Sequence, residues 1–296
     1  MTLAVEVIIN AGSGCVTDDV CDEIARLFAD SGINAHIRHV DSKNIAGAAE
    51  QAAAGNADIV VAAGGDGTIG TVASALVNGP KSLGVIPLGT LNNFSKDLGI
   101  PQDIPSAIEI IAADHTARID VGNVNGRHFI NNSSIGLYPR IVRHREKQQR
   151  LGRGKWWAAA WAALRMMQIS PFLRVKLKLD NEELARKTLF VFIGNNAYEM
   201  DLYNIGRRSR LDRGVLSVYL LRGRGRWGVI AMVIRTFMGL LRQTKNFEEL
   251  QTDELTIEMR RKKILVATDG EVSVMDAPLR YKIEPGALNV IVPGTQ

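Results

Sequence analysis

The sequence predicts an α/β N-terminal domain with a doubly wound parallel sheet, followed by a mainly antiparallel β-sandwich domain. In the first part of the chain, short apolar runs alternate with helical patterns, which is typical of a parallel sheet covered by helices on both faces. After the hairpin signal Asn125-Gly126, most apolar runs follow one another without helices between them. We therefore place the two domains at residues 1–121 and 122–296.

Charge divides the chain at nearly the same place. Residues 1–124 carry 6 Lys+Arg and 15 Asp+Glu, whereas the remainder carries 30 and 16. An acidic half joined to a basic half indicates two domains with different duties, the second of them attracted to an anionic surface.

The most informative stretch is the apolar run that begins at Ile59 and ends in Gly64-Gly65-Asp66-Gly67-Thr68. It predicts a strand buried on both faces, a glycine turn, and a helix that begins at Ile69. Glycines let backbone amides approach a ligand closely, and a helix N-terminus favours an anion. Asp66 could hold Mg²⁺ beside a bound phosphate.

Two other predicted strands end in polar turns. The strand at 3–9 leads into Asn10-Ala11-Gly12-Ser13-Gly14, and the strand at 83–88 leads into Gly89-Thr90-Leu91-Asn92-Asn93. Because ligands bind outside the carboxyl ends of parallel strands, we expect the three turns to share one edge and a phosphate-bearing ligand. The other elements predicted in this half are a helix capped by Thr17, a strand at 33–40, and helices at 45–54 and 104–113.

The second half is predicted to contain strands at 129–133, 173–179, 188–194, 216–221, 255–258, 264–268, 279–283 and 288–292. The chain ends soon after the last of these strands, so we expect no terminal segment to return to the first domain.

Two insertions interrupt the strand pattern. Residues 140–155 hold seven basic residues, and Trp156, Trp157 and Trp161 follow within a predicted helical insertion at 140–165. Basic residues beside tryptophans favour an anionic bilayer surface, and the alternative is a solvated helix whose tryptophans face the core. A second apolar helix is predicted at 226–242, where core packing is the favoured role.

Composition favours a cytoplasmic protein. The longest apolar runs stop at Arg165 and Arg235, which leaves them shorter than the ~18 residues that a membrane span needs. The N-terminus has no basic segment typical of a signal peptide. Cys15 and Cys21 are the only cysteines, which suits a reducing compartment.

Four motifs together carry a family resemblance. Asn10-Ala11-Gly12-Ser13-Gly14, Gly64-Gly65-Asp66-Gly67-Thr68, Gly89-Thr90-Leu91-Asn92 and Asp269-Gly270-Glu271 occur in the order and spacing of the diacylglycerol kinase catalytic domain. The second motif alone is shared with NAD kinases and phosphofructokinases, and the fourth alone would indicate an ordinary turn. Their combination is more specific, and the chain resembles bacterial diacylglycerol/sphingosine kinase-like lipid kinases over essentially its whole length.

The resemblance implies ATP and Mg²⁺ as cofactors and a lipid hydroxyl as the phosphoryl acceptor. It assigns the catalytic roles to Glu271, Asp269 and Asp66, with one carboxylate of the Asp-Gly-Glu motif as the base. We slightly favour Glu271, whose side chain is longer, and expect only one of the two to face the cleft. The implied ATP-binding residues are Asn10, Gly12, Ser13, Gly14, Ser42 (or its neighbour Asp41), Gly64, Gly65, Asp66, Gly67, Thr68, Gly89, Thr90 and Asn92.

Two positions depart from the family pattern. Asn93 and Arg213 stand where many members carry acids, the latter in a turn that binds a structural Mg²⁺. We therefore expect no structural metal, with Arg213 either in the place of the cation or in solvent.

Three functions stay open. The first is an ATP-dependent kinase of a diacylglycerol-like or sphingoid lipid at the inner membrane face. The alternatives are an NAD kinase and a non-catalytic nucleotide- or lipid-binding regulator. No nucleic-acid partner is expected, because the basic stretches carry no recognised motif. A homodimer is left open.

Overall fold

The computed structural model describes residues 3–12, 17–136, 172–179, 182–198, 208, 210–221 and 247–294. The predicted insertion at 140–165, the predicted helix at 226–242, Ser13 and Gly14 lie outside these residues. The helices are α1 (Asp18–Asp30), α2 (Ile45–Ala54), α3 (Asp66–Leu76), α4 (Asn93–Asp97) and α5 (Ile104–Ala113). The strands are β1 (Ala4–Asn10), β2 (Asn34–Val40), β3 (Ile59–Gly64), β4 (Ser82–Pro87), β5 (Thr116–Val124), β6 (Arg127–Phe129), β7 (Asn132–Gly136), β8 (Leu173–Lys178), β9 (Glu183–Thr188), β10 (Phe190–Asn195), β11 (Leu216–Leu221), β12 (Phe247–Thr252), β13 (Glu254–Glu258), β14 (Lys263–Thr268), β15 (Glu271–Asp276) and β16 (Leu279–Ile291).

The predicted fold class is confirmed. Strands β2-β1-β3-β4 form the parallel part of a ten-stranded sheet, and β3 is buried along its whole length. Strands β12-β11-β10-β7-β14-β15 form a second sheet in which every pairing is antiparallel. A shared apolar core that includes Val191 and Val266 of this sheet and Val175 and Ile257 of the other makes the sandwich.

The last strand joins the two halves of the chain, which corrects two expectations. The strands predicted at 279–283 and 288–292 are one strand, β16, with an irregularity between Glu284 and Leu288. Its end pairs in parallel with β4, and its apolar residues Leu288 and Val290 are fully buried in the first-half core. The expectation that no terminal segment returns to the first domain is therefore wrong. The domain boundary after residue 121 stays a prediction, and that residue lies within β5.

One predicted strand is instead two. The run at 129–133 splits into β6 and β7, because the amides of residues 130 and 131 and the carbonyl of residue 130 bond to side chains rather than to a neighbouring strand. The sequence also missed β5, β9, β12 and the one-turn helix α4. Among the residues that the structure describes, no helix is both long and apolar enough to cross a membrane.

Candidate active site

The site is built around the start of α3, which begins at Asp66 and not at Ile69 as predicted. Gly65 is its N-cap, and no side chain caps it. The first amides of the helix therefore have no side-chain partner at the cap, which suits an anion. A Cβ on Gly64 would lie 2.7 Å from the Thr68 side chain, so only glycine lets the first helical turn approach the end of β3 this closely.

The turn after β1 is tied to α3 by the Asn10 side chain. Its amide nitrogen donates to Thr68 Oγ1 at 2.8 Å. Its carbonyl oxygen accepts from the Gly12 backbone at 2.9 Å and from Ser42 Oγ at 2.8 Å. Four of the predicted ATP-binding residues therefore form one hydrogen-bonded group, which includes Ser42 from the turn after β2.

The turn after β4 lies against the same helix start. A Cβ on Gly89 would lie 2.5 Å from the Gly65 Cα, so the two turns approach backbone to backbone. Asn92 closes its turn by accepting from the Gly89 amide and donating to the Gly89 carbonyl, both at 3.0 Å. Thr90 is exposed at the rim. The three polar turns thus meet at one edge of the sheet.

Asp66 links α3 to α4. Its half-buried carboxylate accepts hydrogen bonds from the backbone amides of Asn93 at 3.2 Å and Phe94 at 3.1 Å. Asn93, a position where the family often has an acid, contributes its main chain to this contact, so the contact does not depend on the side chain at this position.

Asp269 lies opposite α3, in the turn between β14 and β15. Its backbone is left-handed with φ 48°, as is that of Gly270 with φ 87°. Its carboxylate accepts from the amides of Ile130, Asn131 and Asn132 at 2.8, 2.8 and 3.0 Å. Burial raises the pKa of this carboxyl from 3.8 to about 6, although the three amides and the Arg208 charge act in the opposite direction.

A cavity of about 40 Å³ lies between α3 and this turn. Asp269 and Glu271 both line it, so the expectation that only one of them faces the cleft is wrong. The reason is that Asp269 belongs to the left-handed turn and Glu271 to β15, so strand alternation does not relate them. Glu271 is 56% exposed and pairs with Arg127 at 2.5 Å. The other lining residues are Gly67, Gly70, Thr71, Ser74, Arg127, His128 and Thr268.

Comparison with protein families gives the same assignment for both halves. Residues 4–124 match the family described as diacylglycerol kinase catalytic domain. Residues 134–292 match the family described as YegS C-terminal NAD kinase beta sandwich-like domain, which is more than half of the chain. The chain belongs to the diacylglycerol kinase-like lipid kinase family.

Relatives within this family are similar over parts of their length. A diacylglycerol kinase of Staphylococcus haemolyticus (strain JCSC1435) is 41% identical over 95 residues, which are 31% of this chain and 29% of that protein. A diacylglycerol kinase of Staphylococcus saprophyticus subsp. saprophyticus is 28% identical over 170 residues, 56% of this chain and 55% of the relative. The matched segments thus span about a third to a half of these relatives.

The fold is shared more widely than the sequence. The crystal structure of a diacylglycerol kinase from Bacillus anthracis str. Sterne superposes with a TM-score of 0.71 at 21% identity, covering 99% of this chain and 97% of that chain. Another solved structure from the same organism gives a TM-score of 0.75 at 22% identity.

The structure also places residues that depart from the kinase family pattern. Arg213 is exposed, and its backbone amide donates to Asn196 Oδ1 at 2.9 Å. Of the two places expected for Arg213, the structure therefore shows the one in solvent. Asp212 is held by Arg210 through two hydrogen bonds of 2.9 Å.

Sequence reasoning missed Asp97, Arg127 and Arg208. The segment 206–214 contains four arginines, and nothing in its pattern shows that Arg208 is the buried one. Arg127 follows the Asn125-Gly126 hairpin, where a basic residue is ordinarily solvated. Arg127 meets Glu271 only because the fold places their strands, β6 and β15, close together.

Proposed function

We propose that this protein is an ATP-dependent kinase that phosphorylates the hydroxyl of a diacylglycerol-like or sphingoid lipid at the membrane surface. One observation carries the proposal. The cavity between Gly67, Gly70, Asp269 and Glu271 has an uncapped helix start on one side and two carboxylates on the other. Phosphoryl transfer needs mainly an anion-binding surface and a positioned base, and these two sides supply them.

The residues present fit ATP and its Mg²⁺. The close approach of Gly65 and Gly89 leaves backbone beside the α3 N-terminus, where phosphate oxygens would accept from amides. Each Asp66 oxygen accepts one amide and keeps a further lone pair. In the described part of the chain, no three acids, histidines or cysteines group into a metal site, so Asp66 and the nucleotide itself are the ligands we assign to Mg²⁺. Bound Mg²⁺ would neutralise charge on the transferred phosphoryl group.

We assign the base to Glu271 and a positioning role to Asp269. Both oxygens of Asp269 are already committed to three amide donors, which fix the turn and leave little capacity for a substrate hydroxyl. Glu271 is exposed at the mouth of the cavity, where a lipid hydroxyl would enter from outside. Its ion pair with Arg127 is exposed, so a substrate can displace it at little cost.

A basic groove supports action at an anionic surface of the cytoplasmic membrane face. Arg174 and Lys187 lie opposite each other on β8 and β9, and Arg260 follows β13, which pairs with β8. The three side chains are exposed and line one groove of about 540 Å³. Neighbouring cations are neutralised, for example Lys176 by Glu183 at 2.6 Å, so these three carry the excess positive charge of the groove.

A phosphoryl-transfer assay tests the proposal. The protein would be incubated with ATP, Mg²⁺ and acidic vesicles that contain either diacylglycerol or a sphingoid base, with NAD, or with no acceptor. We expect a phosphorylated lipid only with the vesicles. Phosphorylation of NAD would overturn the proposal in favour of an NAD kinase. ATP binding without turnover on any acceptor would overturn it in favour of a non-catalytic regulator.

The NAD kinase alternative rests on a specific observation. The second half of the chain matches a family whose description names an NAD kinase-like sandwich. The basic groove argues against it, because a soluble dinucleotide needs no contact with a surface. A homodimer stays a prediction for either function.

A further inference from the structure

Arg208 is a buried cation with an unusually complete set of partners. Its side chain is 0% exposed and that of Asp97 is 2% exposed, with Nε donating to Asp97 Oδ2 at 2.8 Å. Nη1 donates to the carbonyls of Ile130 and Asn195 at 2.7 and 3.1 Å. Nη2 donates to Asn131 Oδ1 at 2.7 Å. A buried ion pair is weak evidence for stability, since apolar groups of the same shape often serve as well, so a role in the site needs to be considered.

The partners of Arg208 lead directly to Asp269. The carbonyl of Ile130 and the amide of Asn131 belong to the same peptide group, which accepts from Arg208 at one end and donates to Asp269 Oδ1 at the other. A positive charge on the carbonyl polarises that group and strengthens the bond made by its N–H. Arg208 therefore acts on the Asp269 carboxylate through one peptide, without touching it.

The other partner leads to Asp66. Asp97 is the last residue of α4, and the amides of Asn93 and Phe94 at the start of the same helix hold the Asp66 carboxylate. Because α4 is only five residues long, it places the Asp97 carboxylate close to the amides at its start. Hydrogen bonds, together with the short helix α4 and the Ile130–Asn131 peptide, thus connect the phosphate side of the cavity to the Asp-Gly-Glu turn.

We propose that Arg208 is a positioning residue that fixes the Asp269-Gly270-Glu271 turn relative to Asp66, through Asp97 on one side and the Ile130–Asn131 peptide on the other. The inference rests on the proposed kinase function. It predicts that loss of Arg208 disturbs the transfer step while leaving the nucleotide turns, which it does not contact, able to bind ATP.

The charged groups that face Asp269 give this role a measurable signature. They are Arg208, Arg127, His128, Glu271 and the Tyr198 hydroxyl. The Arg208 charge lowers the pKa of the Asp269 carboxyl against the effect of burial. Without that charge the carboxyl takes up a proton at higher pH, and a neutral acid accepts the three amides more weakly than a carboxylate does. The turn should then lose its fixed geometry as pH falls.

The experiment compares Arg208→Gln, Arg208→Lys and Asp97→Asn with the control Arg210→Gln, whose exposed side chain pairs with Asp212. For each variant, kcat is measured against pH, ATP affinity by calorimetry, and folding by thermal melts. We expect Arg208→Gln to lower kcat on the order of 10²-fold at neutral pH, as misplacement of reacting groups does. The acid limb of its kcat–pH profile should move to higher pH by about one unit.

The other variants separate charge from geometry. Arg208→Lys keeps the positive charge but loses the planar, forked guanidinium group. The acid limb of its kcat–pH profile should therefore return toward that of the unchanged protein, while kcat itself stays low. The double variant Asp97→Asn with Arg208→Gln should have a kcat only slightly lower than that of Arg208→Gln alone, because both residues act through the same set of contacts. ATP affinity and the control should stay within about threefold of the unchanged protein. If Arg208→Gln does not fold, Arg208→Lys and Asp97→Asn test the same path.

Three outcomes overturn the inference. In Arg208→Gln, kcat could fall by the same factor at every pH, or ATP affinity could fall as much as kcat does. The control Arg210→Gln could also lower kcat as much as Arg208→Gln. A protein that transfers no phosphoryl group would contradict the proposed function instead. In that case a carboxyl-carbon NMR titration of Asp269 still decides, since an unchanged midpoint in Arg208→Gln would reject its coupling to Arg208.

Discussion

The Asp66 carboxylate has a structural contact and an assigned chemical role at once. It accepts the first two amides of α4, as a helix-capping side chain does, and it lies in the glycine turn that would surround phosphate. Loss of a cap costs about 1 kcal/mol of stability. Loss of a group that orders Mg²⁺ and phosphate costs activity far more than stability, so the two contributions can be separated by measurement.

We expect Asp66→Ala to abolish detectable kinase activity while the far-UV circular dichroism stays unchanged. The matched control is Asp103→Ala, because Asp103 accepts the Ser106 amide at 2.9 Å at the start of α5, away from the cavity. Both variants should lose similar stability in urea melts, and only Asp66→Ala should lose turnover. Near-normal turnover by Asp66→Ala would defeat its assignment.

The roles of Glu271 and Asp269 predict different kinetics. Glu271→Gln removes the assigned base, so kcat should fall by a factor on the order of 10² to 10⁴, with ATP affinity unchanged. Asp269→Asn places an amide group among three backbone donors, so it should lower both kcat and the melting temperature. Equal and mild effects of the two substitutions on kcat would reject both assignments.

The raised pKa of Asp269 predicts how stability depends on pH. The pKa of the carboxyl rises from 3.8 in the unfolded chain to about 6 on folding, so the folded state binds this proton more tightly. The stabilising contribution is complete below the unfolded pKa and is lost as pH rises through about 6. The melting temperature of the unchanged protein minus that of Asp269→Asn should therefore fall from about pH 4 to about pH 7.

Asp212→Asn is the control of opposite sign. Arg210 lowers the pKa of the Asp212 carboxyl, so that contribution is present above the unfolded pKa and is lost as pH falls. A melting-temperature difference for Asp269→Asn that is flat, or that grows with pH, would show that burial does not dominate at Asp269.

Among the elements, β16 does the most to join the two halves. It pairs with β13 in the sandwich, with β5 along most of its length, and with β4 in the parallel sheet. A single strand that enters two apolar cores couples their unfolding, since neither core is complete without it.

Leu288→Ala should test that coupling. Leu288 is 0% exposed within the first-half core, so its truncation should cost about 2–5 kcal/mol. Lys282→Ala, on the exposed side of the same strand, should cost little. Denaturant melts followed by fluorescence and by circular dichroism should shift together. Separate transitions from the two probes would indicate that the halves unfold independently.

For the whole molecule, the separation of charge predicts how it meets a membrane. The basic groove of Arg174, Lys187 and Arg260 lies in the second half, whose net charge opposes that of the acidic first half. Each basic residue near an anionic surface contributes about 1 kcal/mol, so the three together correspond to roughly 100-fold in affinity.

Replacing all three groove residues with Gln should weaken sedimentation with acidic vesicles by about that factor. Binding of the unchanged protein should fall as salt rises through ~0.2 M, where the Debye length is below about 8 Å. The control replaces Arg26, Lys43 and Lys96 of the first half with Gln, which changes the net charge equally. Equal losses in the two triple variants would show that only net charge matters. The basic segment at 140–161 stays a second predicted contact, for which four Arg→Gln substitutions are the corresponding test.

Local patterns in the sequence predicted the parallel sheet, the sandwich and the three turns that meet at one edge. Local residue patterns predict buried strands, glycine turns and helix starts, because hydrophobic periodicity and backbone conformational freedom act over a few residues. The helices at 45–54 and 104–113 were placed to the residue for this reason. Gly64 to Thr68 were predicted to form a glycine turn before a helix, although the start of α3 lies three residues earlier than predicted.

The contacts that hold the acidic motifs could not be predicted from local patterns and are visible only in the folded chain. Arg208 is more than 100 residues from Asp97 along the chain, and Asp269 is at least 137 from each of the amides that it accepts. The return of β16 to β4 joins positions about 207 residues apart. Contacts of this range depend on which surfaces meet once both cores have formed, and no local period records them. The burial of Arg208, one of four arginines in the segment 206–214, is the clearest case, since burial is a property of the folded chain and not of the residue.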